Sequence, residues 1–297
     1  MSIYDPGAKA PMYSPLWNTE ALHLPRDRAT INAWCRSFYA LNPDVNRLIN
    51  QHALLLSSVF DIKKCKSIKI NKFCFDQMEK LNIPTILENI IIEYFVIGEV
   101  FLYAELDEQH GMFSRLLIQN PDYILVKKSI TDSNDKYYLR PDENLRRICF
   151  SNEPKDIVVR NLLSENIVET VKNRENILLN NFYLTHFCHK TSPYEIRGTS
   201  MLVPLFDELK DGYTDMLKIR QTLFDITSYD NGNIAKDVLM TRYLFLIDKI
   251  ENWINNKILA AAYKIQGFGT HSTRSKLPQV MFDRNKLREA VMSSSNQ

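Results

Sequence analysis

Residues 185–228 constrain the fold more than any other stretch of this chain, because the spacing of their hydrophobic residues changes from a strand pattern to a helix pattern. An alternating, aromatic-rich run at 182–188 is typical of a β-strand. A turn follows, in which Gly198 lets the backbone bend where a larger residue would clash. After it the apolar residues predict a long amphipathic helix, capped by the hydroxyl of Thr199 or Ser200. The apolar positions of this helix are Leu202, Leu205, Phe206, Leu209, Tyr213, Met216 and Leu217.

The rest of the chain mixes helical and strand periods without an internal repeat, so the predicted fold class is α+β. Proline and glycine mark several boundaries, such as Pro84 at the start and Gly98 at the end of one helix. We predict helices at residues 27–41, 44–58, 84–97, 154–163 and 235–266, and a short one from Arg284. We predict strands at 60–70, 99–106, 112–119, 122–128, 177–179 and 278–282, and a polar hairpin made of 136–140 and 145–150.

Cysteine usage and hydropathy predict a soluble protein of a reducing compartment. The five cysteines are scattered and include no Cys-x-x-Cys pair, which is typical of intracellular proteins. The first residues lack the order of a signal peptide, and the most apolar run, 86–97, is too short to cross a bilayer. A net charge of +2 argues against nonspecific nucleic-acid binding by the whole surface, but it leaves room for a local basic patch.

The clearest candidate for a metal or catalytic site is the run His186-Phe187-Cys188-His189. On a strand, His186 and Cys188 point to one face and His189 to the other, and no second ligand pair lies at a usual spacing. A nucleophile–base pair of Ser200 and His186 lacks the Gly-x-Ser-x-Gly turn that would expose the serine. A phosphate-binding glycine motif is also missing. The sequence therefore predicts no catalytic residue, no metal and no cofactor, and a strand-end histidine in a polar network.

The predicted helix at 235–266 and the loop after it carry a series of cations. These would be either a solvated helix face or, if copies of the helix line a pore, a band that contacts DNA phosphate. The cations expected near DNA are Lys249, Lys257, Lys264, Arg274 and Lys276. The same helix has an apolar stripe and a small-residue zone that a neighbouring helix could approach. These positions are Leu246, Ile250, Trp253 and Ala261.

Several features occur in an order that is found in one family. The segment YEIRGTS at 194–200 precedes a helix of the form Leu-x-x-Leu-Phe-x-x-Leu, and an aromatic helix precedes Asn-Pro near the N-terminus. The run at 253–268 precedes a basic loop and the segment LPQVMFD at 277–283. In this order, over roughly the whole chain, the sequence resembles the tailed-bacteriophage portal proteins. The turn motif that carries the resemblance comprises Arg197, Gly198, Thr199 and Ser200.

The resemblance implies a structural ring, typically of twelve copies, at one vertex of a capsid, with double-stranded DNA passing through it. It implies as partners the terminase packaging ATPase, the head–tail adaptor and the major capsid protein, with no membrane. The location would be the virion, after synthesis in the bacterial cytoplasm. The implied domains are an N-terminal arm (1–26), an α/β wing (27–232), a stem helix (233–268) and the start of a clip (269–297). The apolar stripe of the stem would bury contacts between subunits.

Portal chains usually continue beyond the clip, so the resemblance also implies a second polypeptide that supplies the remainder. The strand at 278–282 would then pair with another chain, because a lone strand leaves an open edge. Two alternatives stay open. One is an intracellular α+β enzyme acting on nucleic acid or nucleotides, which a deep pocket with perturbed pKa values would favour. The other is a non-portal connector or capsid component, with a different order of strands and helices.

Overall fold

The computed structural model of the chain describes residues 2–4, 27–107, 109–129, 135–161, 163, 165–180, 183–189, 195–206, 233–268 and 277–293. These residues form helices and three small antiparallel sheets, which confirms the predicted α+β class. The predicted arm lies mostly outside them; its described part is the strand β1 (Ser2–Tyr4). Within the described residues, no helix combines the length and the apolar content that crossing a membrane requires.

Capping side chains define the first two helices, α1 (Arg28–Leu41) and α2 (Pro43–Ser58), as the sequence predicts. The carboxylate of Asp27 accepts a backbone N–H of the first turn of α1. The side chain of Asn42 accepts two backbone N–H groups of α2, both at 3.0 Å. These contacts satisfy donors that a helix start leaves without a partner.

The strand predicted at 60–70 is wrong beyond its first residues. Strand β2 (Phe60–Lys63) is short, and helix α3 (Ile68–Lys80) begins after the cap Ser67. Cys74 and Met78 lie four residues apart on α3, and both are buried. Their helical spacing therefore determines the structure of this segment, and the short alternating pattern before it does not. Helix α4 (Ile83–Ile97) follows and ends at Gly98 as predicted.

Two sheets carry most of the remaining strands, and all of these strands except β1 lie where the sequence predicts them. In the first sheet, β3 (Glu99–Asp107) lies between β4 (Met112–Gln119) and β8 (Leu184–Cys188). In the second sheet, the order is β1, β5 (Ile124–Ser129), β6 (Lys136–Leu139) and β7 (Ile177–Leu178). All neighbouring strands are antiparallel.

The predicted polar hairpin is correct only in its first strand. Residues 145–150, the predicted second strand, belong to helix α5 (Glu143–Phe150), because the carboxylate of Asp142 caps it through the backbone N–H of Leu145 at 2.7 Å. Helix α6 (Pro154–Arg160) follows as predicted. Helix α7 (Glu165–Lys172) is an element that the sequence pattern does not predict.

The predicted long helix is present, with one irregular turn inside it. Helix α8 (Asn233–Trp253) runs into a π-helical turn (Ile254–Leu259) and then into α9 (Ala260–Ile265). Gly267, at a φ of +69°, follows its end. A π turn inserts one residue and leaves the average period almost unchanged, so periodicity alone does not reveal it. The chain ends with β9 (Gln279–Phe282) and helix α10 (Arg284–Ser293).

Strand β9 pairs with β2 of its own chain, so the prediction that it pairs with another polypeptide is wrong. Phe60 lies opposite Phe282, and Ile62 lies opposite Val280. The other edge of β9 is also closed: the side chain of Asn255 bonds both the N–H and the C=O of Val280, each at 2.8 Å. The carboxylate of Glu251 accepts the N–H of Phe282 at 2.7 Å. The expected open edge is therefore covered by the π turn and the end of α8.

The main hydrophobic core is shared by segments that the resemblance assigns to different domains. Buried side chains from α2, α4, β3, α8, the π turn and β9 form one cluster. A smaller cluster around Phe101, Ile124, Val126 and Leu184 joins the first two sheets. The division at residues 26, 232 and 268 stays a prediction.

We expect Asn255→Ala to lower the free energy of unfolding by about 1–3 kcal/mol, because it removes both partners of the Val280 backbone. The matched control is Asn256→Ala, since Asn256 is exposed and its side chain bonds, within the described residues, the side chain of Asn252 at 3.4 Å. The control should change stability by less than about 0.5 kcal/mol. Urea unfolding measures both, and equal effects would contradict the role of Asn255 at this edge.

Candidate functional site

The turn motif at 195–200 lies against the start of β3, and two glycines allow the contact. A Cβ atom on Gly98 would overlap the carbonyl of Thr199, and one on Gly198 would overlap the carbonyl of Gly98. Gly98 has a φ of +83° in addition. Gly198 thus allows two backbones to approach closely, which a side chain at this position would prevent.

A buried ion pair fixes the same contact. Glu99 and Arg197 have relative exposures of 0% and 1%. The Nε atom of Arg197 lies 3.0 and 2.9 Å from the two carboxylate oxygens of Glu99, and one terminal nitrogen lies 2.5 Å from Oε1. The guanidinium also donates to the carbonyls of Pro121 at 2.9 Å and Ile124 at 2.8 Å. Each of the three guanidinium nitrogens of Arg197 therefore donates a hydrogen bond inside the protein.

Three more groups complete the surroundings of the Glu99 carboxylate. The backbone N–H of Gly198 donates to it at 3.1 Å, and Arg28 approaches it at 3.4 Å. His186 Nε2 lies 3.2 Å from Oε2. Burial alone would raise the pKa of Glu99, but the charges of Arg197 and Arg28 and the hydrogen bonds hold this pKa well below the ordinary 4.5.

Aromatic rings surround the polar cluster on one side. The ring of His186 stacks on Phe101, with centroids 4.1 Å apart, and the guanidinium carbon of Arg197 lies 5.1 Å from the Phe101 centroid. Tyr137 meets His186 edge-on at 5.8 Å. His186 is thus a strand histidine in a polar network, the interpretation that the sequence favours. Among the described residues, no group of three potential ligand side chains could hold a metal ion.

The two hydroxyls that the sequence predicts as helix caps have different partners, and the 3-10 turn at Val203–Leu205 has Leu202 at its N-cap position, without a side-chain cap. The Ser200 hydroxyl bonds backbone groups. It accepts the backbone N–H of Leu202 at 3.0 Å and donates to the carbonyl of Val96 at 2.5 Å. The hydroxyl of Thr199 instead donates to the buried Glu195 at 3.2 Å. A 3-10 turn (Val203–Leu205) follows Ser200, and the helix predicted beyond it lies outside the described residues.

A cavity of about 450 Å³ lies between α4, the end of β8 and α8. Its aromatic wall consists of Tyr94, Phe95, Tyr243 and Phe245, and its polar wall includes His189, Arg242 and Lys249. Burial, helped by the charge of Arg242, lowers the pKa of His189. Burial also raises the pKa of Tyr94 to about 12. The cavity therefore favours the uncharged forms of His189 and Tyr94.

The cations that the sequence predicts near DNA do not share one environment. Lys249 lies on the cavity wall, 4.1 Å from the ring centroid of Phe245. Lys257 points into the protein, where it donates to the carbonyl of Leu184 at 2.9 Å, and burial lowers its pKa. Lys264 is exposed. Arg274 and Lys276 lie outside the described residues.

The apolar stripe of the long helix is used inside the chain. Leu246, Ile250 and Trp253 have exposures of 4% or less and belong to the main core. Trp253 packs edge-on against Phe187 at 6.0 Å. The assignment of these three residues to contacts between subunits is therefore corrected. Ala261 is partly buried and packs against the same core.

Glu99, Arg28 and Tyr137 belong to the polar cluster without being predicted from the sequence. A signal for Glu99 does exist, since it opens a run of apolar strand residues, EVFLYA, directly after Gly98. A charged residue there needs a partner of opposite charge if the strand is buried on both faces. Nothing local identifies that partner, which lies 98 positions further along the chain.

Comparison with solved structures gives distant structural similarities, and two of them are described here. No protein-family model and no curated protein matches the chain. The chain is similar to a chain titled "Neck of empty GTA particle computed with C6 symmetry", with a TM-score of 0.41 and 11% identity, over 91% of this chain and 88% of that one. It is also similar to one titled "Neck of native GTA particle computed with C12 symmetry", with a TM-score of 0.39 and 12% identity, over 98% and 90%.

We expect Arg197→Met to lower the free energy of unfolding by about 3–5 kcal/mol, because the carboxylate of Glu99 would stay buried without its main counter-ion. The control is Arg115→Met, which breaks a pair of similar two-pronged geometry with Glu105 on the same strand β3. Arg115 is 64% exposed, so its loss should cost less than about 1 kcal/mol. Comparable losses in urea unfolding would refute the role of burial.

The lowered pKa of Glu99 predicts a pH dependence of stability with a defined sign. The unfolded state binds the proton more readily than the folded state, so the ionised carboxylate stabilises the fold above pH 4.5. The stability difference between the wild type and Glu99→Gln should be constant from pH 7 to 5 and shrink as the pH falls further. Denaturant unfolding at several pH values measures it. A difference that grows on acidification would contradict this assignment.

Proposed function

We propose that this chain is a subunit of a portal-type connector, a ring through which double-stranded DNA enters and leaves a phage-like particle. The observation that carries the proposal is that two segments of the family pattern meet in space. The start of β3, at Gly98 and Glu99, and the turn motif at Arg197 and Gly198 form one buried contact. The partners are those that the resemblance implies: copies of itself, DNA, the packaging ATPase, the head–tail adaptor and the capsid protein.

The polar cluster suits a structural subunit because it fixes orientation. It connects the start of α1 through Arg28, the start of β3 through Glu99 and the turn motif through Arg197. A satisfied buried ion pair contributes little net stability, but each arrangement that breaks it is costly. We infer that it holds the wing segments in one relative geometry, which a closed ring of identical copies needs.

The long helix offers an exposed face for contacts between copies. Thr241, Phe245, Asp248, Asn252 and Asn256 are exposed and recur at helical spacing. Phe245 is the apolar member of this face, with an exposure of 56%. An aromatic side chain on a mostly polar face is a suitable anchor for an interface. This face takes the place of the buried stripe in the proposed ring contact.

A second candidate function is ligand binding or catalysis at the cavity beside His189. The specific observation is the pocket of about 450 Å³ with its lowered histidine pKa and raised tyrosine pKa, a feature that favours the enzyme alternative. Titration calorimetry with ATP and with a short oligonucleotide tests it. One site per chain, lost in His189→Ala, would favour this candidate over the connector.

We expect Phe245→Ser to raise the concentration needed for ring formation at least about tenfold, because truncating an aromatic anchor costs about 2 kcal/mol. The matched control is Phe150→Ser on α5, because Phe150 is also 56% exposed. Native mass spectrometry and negative-stain microscopy measure the assemblies. The proposal fails if the wild type forms no ring, and the interface assignment fails if both variants assemble equally well.

A further inference from the structure

One short segment of this chain is strongly basic. Residues 62–75 contain Lys63, Lys64, Lys66, Lys69 and Lys72 and no acidic residue, and the exposed Asp61 and Asp76 flank them. This segment has a formal charge of +5, whereas the whole chain has +2, so the remainder has −3 (+2 minus +5). A basic patch on a slightly acidic background is a distinct electrostatic feature.

The structure presents these lysines on one continuous segment, formed by the end of β2, the loop and the first turns of α3. All five are exposed. Within the described part of the chain, none of them forms an ion pair with an acidic side chain. Lys64 lies over the ring of Phe75 at 5.5 Å, and Lys69 lies over the ring of Phe268 at 5.9 Å. In both contacts the ammonium nitrogen lies over the ring, and the lysine remains exposed to solvent.

The loop that carries the lysines is held by its own hydrogen bonds. The side chain of Asn71 accepts the backbone N–H of Cys65 and donates to the carbonyl of Cys65, both at 2.8 Å. The hydroxyl of Ser67 caps α3. The backbone that carries Lys64 and Lys66 is thus held in place before any partner binds, which lowers the entropic cost of ordering the loop.

Fold stability does not explain this arrangement. The first turn of α3 contains no acidic residue, and Lys66 and Lys69 lie beside the positive end of the helix dipole. Cations at that end destabilise a helix, and five neighbouring ammonium groups also repel one another. The lysines are therefore costly to the isolated chain, and a polyanion would remove that cost.

We propose that the surface formed by these five lysines, named the α3 lysine surface, binds the phosphate backbone of double-stranded DNA without sequence preference. Lysine is a point charge that suits phosphate, and the surface contains no arginine that could read bases. It is separate from the exposed face of α8. It lies near the end of the long helix, since Phe73 packs against Phe268 and Tyr263.

The test is a DNA titration of the full chain with matched charge variants. Fluorescence anisotropy of a labelled duplex gives the affinity between about 50 and 200 mM salt. The variant is Lys66→Gln with Lys69→Gln and Lys72→Gln. The control removes the same charge from exposed lysines of other helices, as Lys155→Gln with Lys172→Gln and Lys286→Gln. Thermal unfolding should show that both variants remain folded at the temperature of the titration.

We expect the α3 variant to bind DNA at least about tenfold more weakly, with a salt slope smaller by about 0.9 for each phosphate that is no longer neutralised. The control should keep both values near those of the wild type. If both variants weaken DNA binding equally, the net charge of the chain alone explains the effect, and the proposal is overturned. Tighter binding of a poly-glutamate peptide than of DNA would assign the surface to an acidic protein instead. Because anisotropy needs no ring, the result is independent of the connector proposal.

Discussion

The buried pair of Glu99 and Arg197 is the interaction on which the rest of the structure depends. Removing two charges from water carries a large desolvation free energy. The attraction between them offsets it only when every polar atom also has a hydrogen-bond partner. Here the guanidinium uses the carboxylate and two backbone carbonyls, while the carboxylate also accepts the N–H of Gly198. The partners come from both sheets, from α1 and from the turn motif. The pair can therefore form only when these distant segments are all in place.

Local chemistry makes many elements of this fold predictable. Asn42 and Gly98 mark helix ends through contacts with residues a few positions away, so a short sequence pattern is enough to predict them. The errors arise where two periods fit the same few residues, as at 64–70, where a short alternation precedes α3. The pairing of β2 with β9 lies beyond this kind of reasoning. It joins Phe60 to Phe282, and no local pattern specifies a partner so far along the chain.

The candidate site is predictable only in part, because some of its contacts join residues that are distant in the sequence. The turn motif is identified by its residues, but the reason for Gly198 is another glycine, Gly98, that touches it across the fold. The stripe containing Leu246 and Trp253 is recognisable as apolar, yet periodicity cannot say whether its own chain or a neighbour covers it. Here the chain's own core covers it. Tertiary packing decides which residues cover an apolar stripe, and this packing depends on the fold of the whole chain.

The π turn shows how one helix can serve several surfaces at once. Asn255 and Lys257, two positions apart within it, bond β9 and β8 respectively. The helix interior thus supplies polar groups to two sheets, which an amphipathic helix with a single polar face would not do. The N–H of Ala260 bonds the carbonyl of Asn255, so the wider turn stays closed. The exposed side chain of Phe245 takes no part in these contacts, so the helix contacts the two sheets from its irregular turn and leaves this residue at the surface.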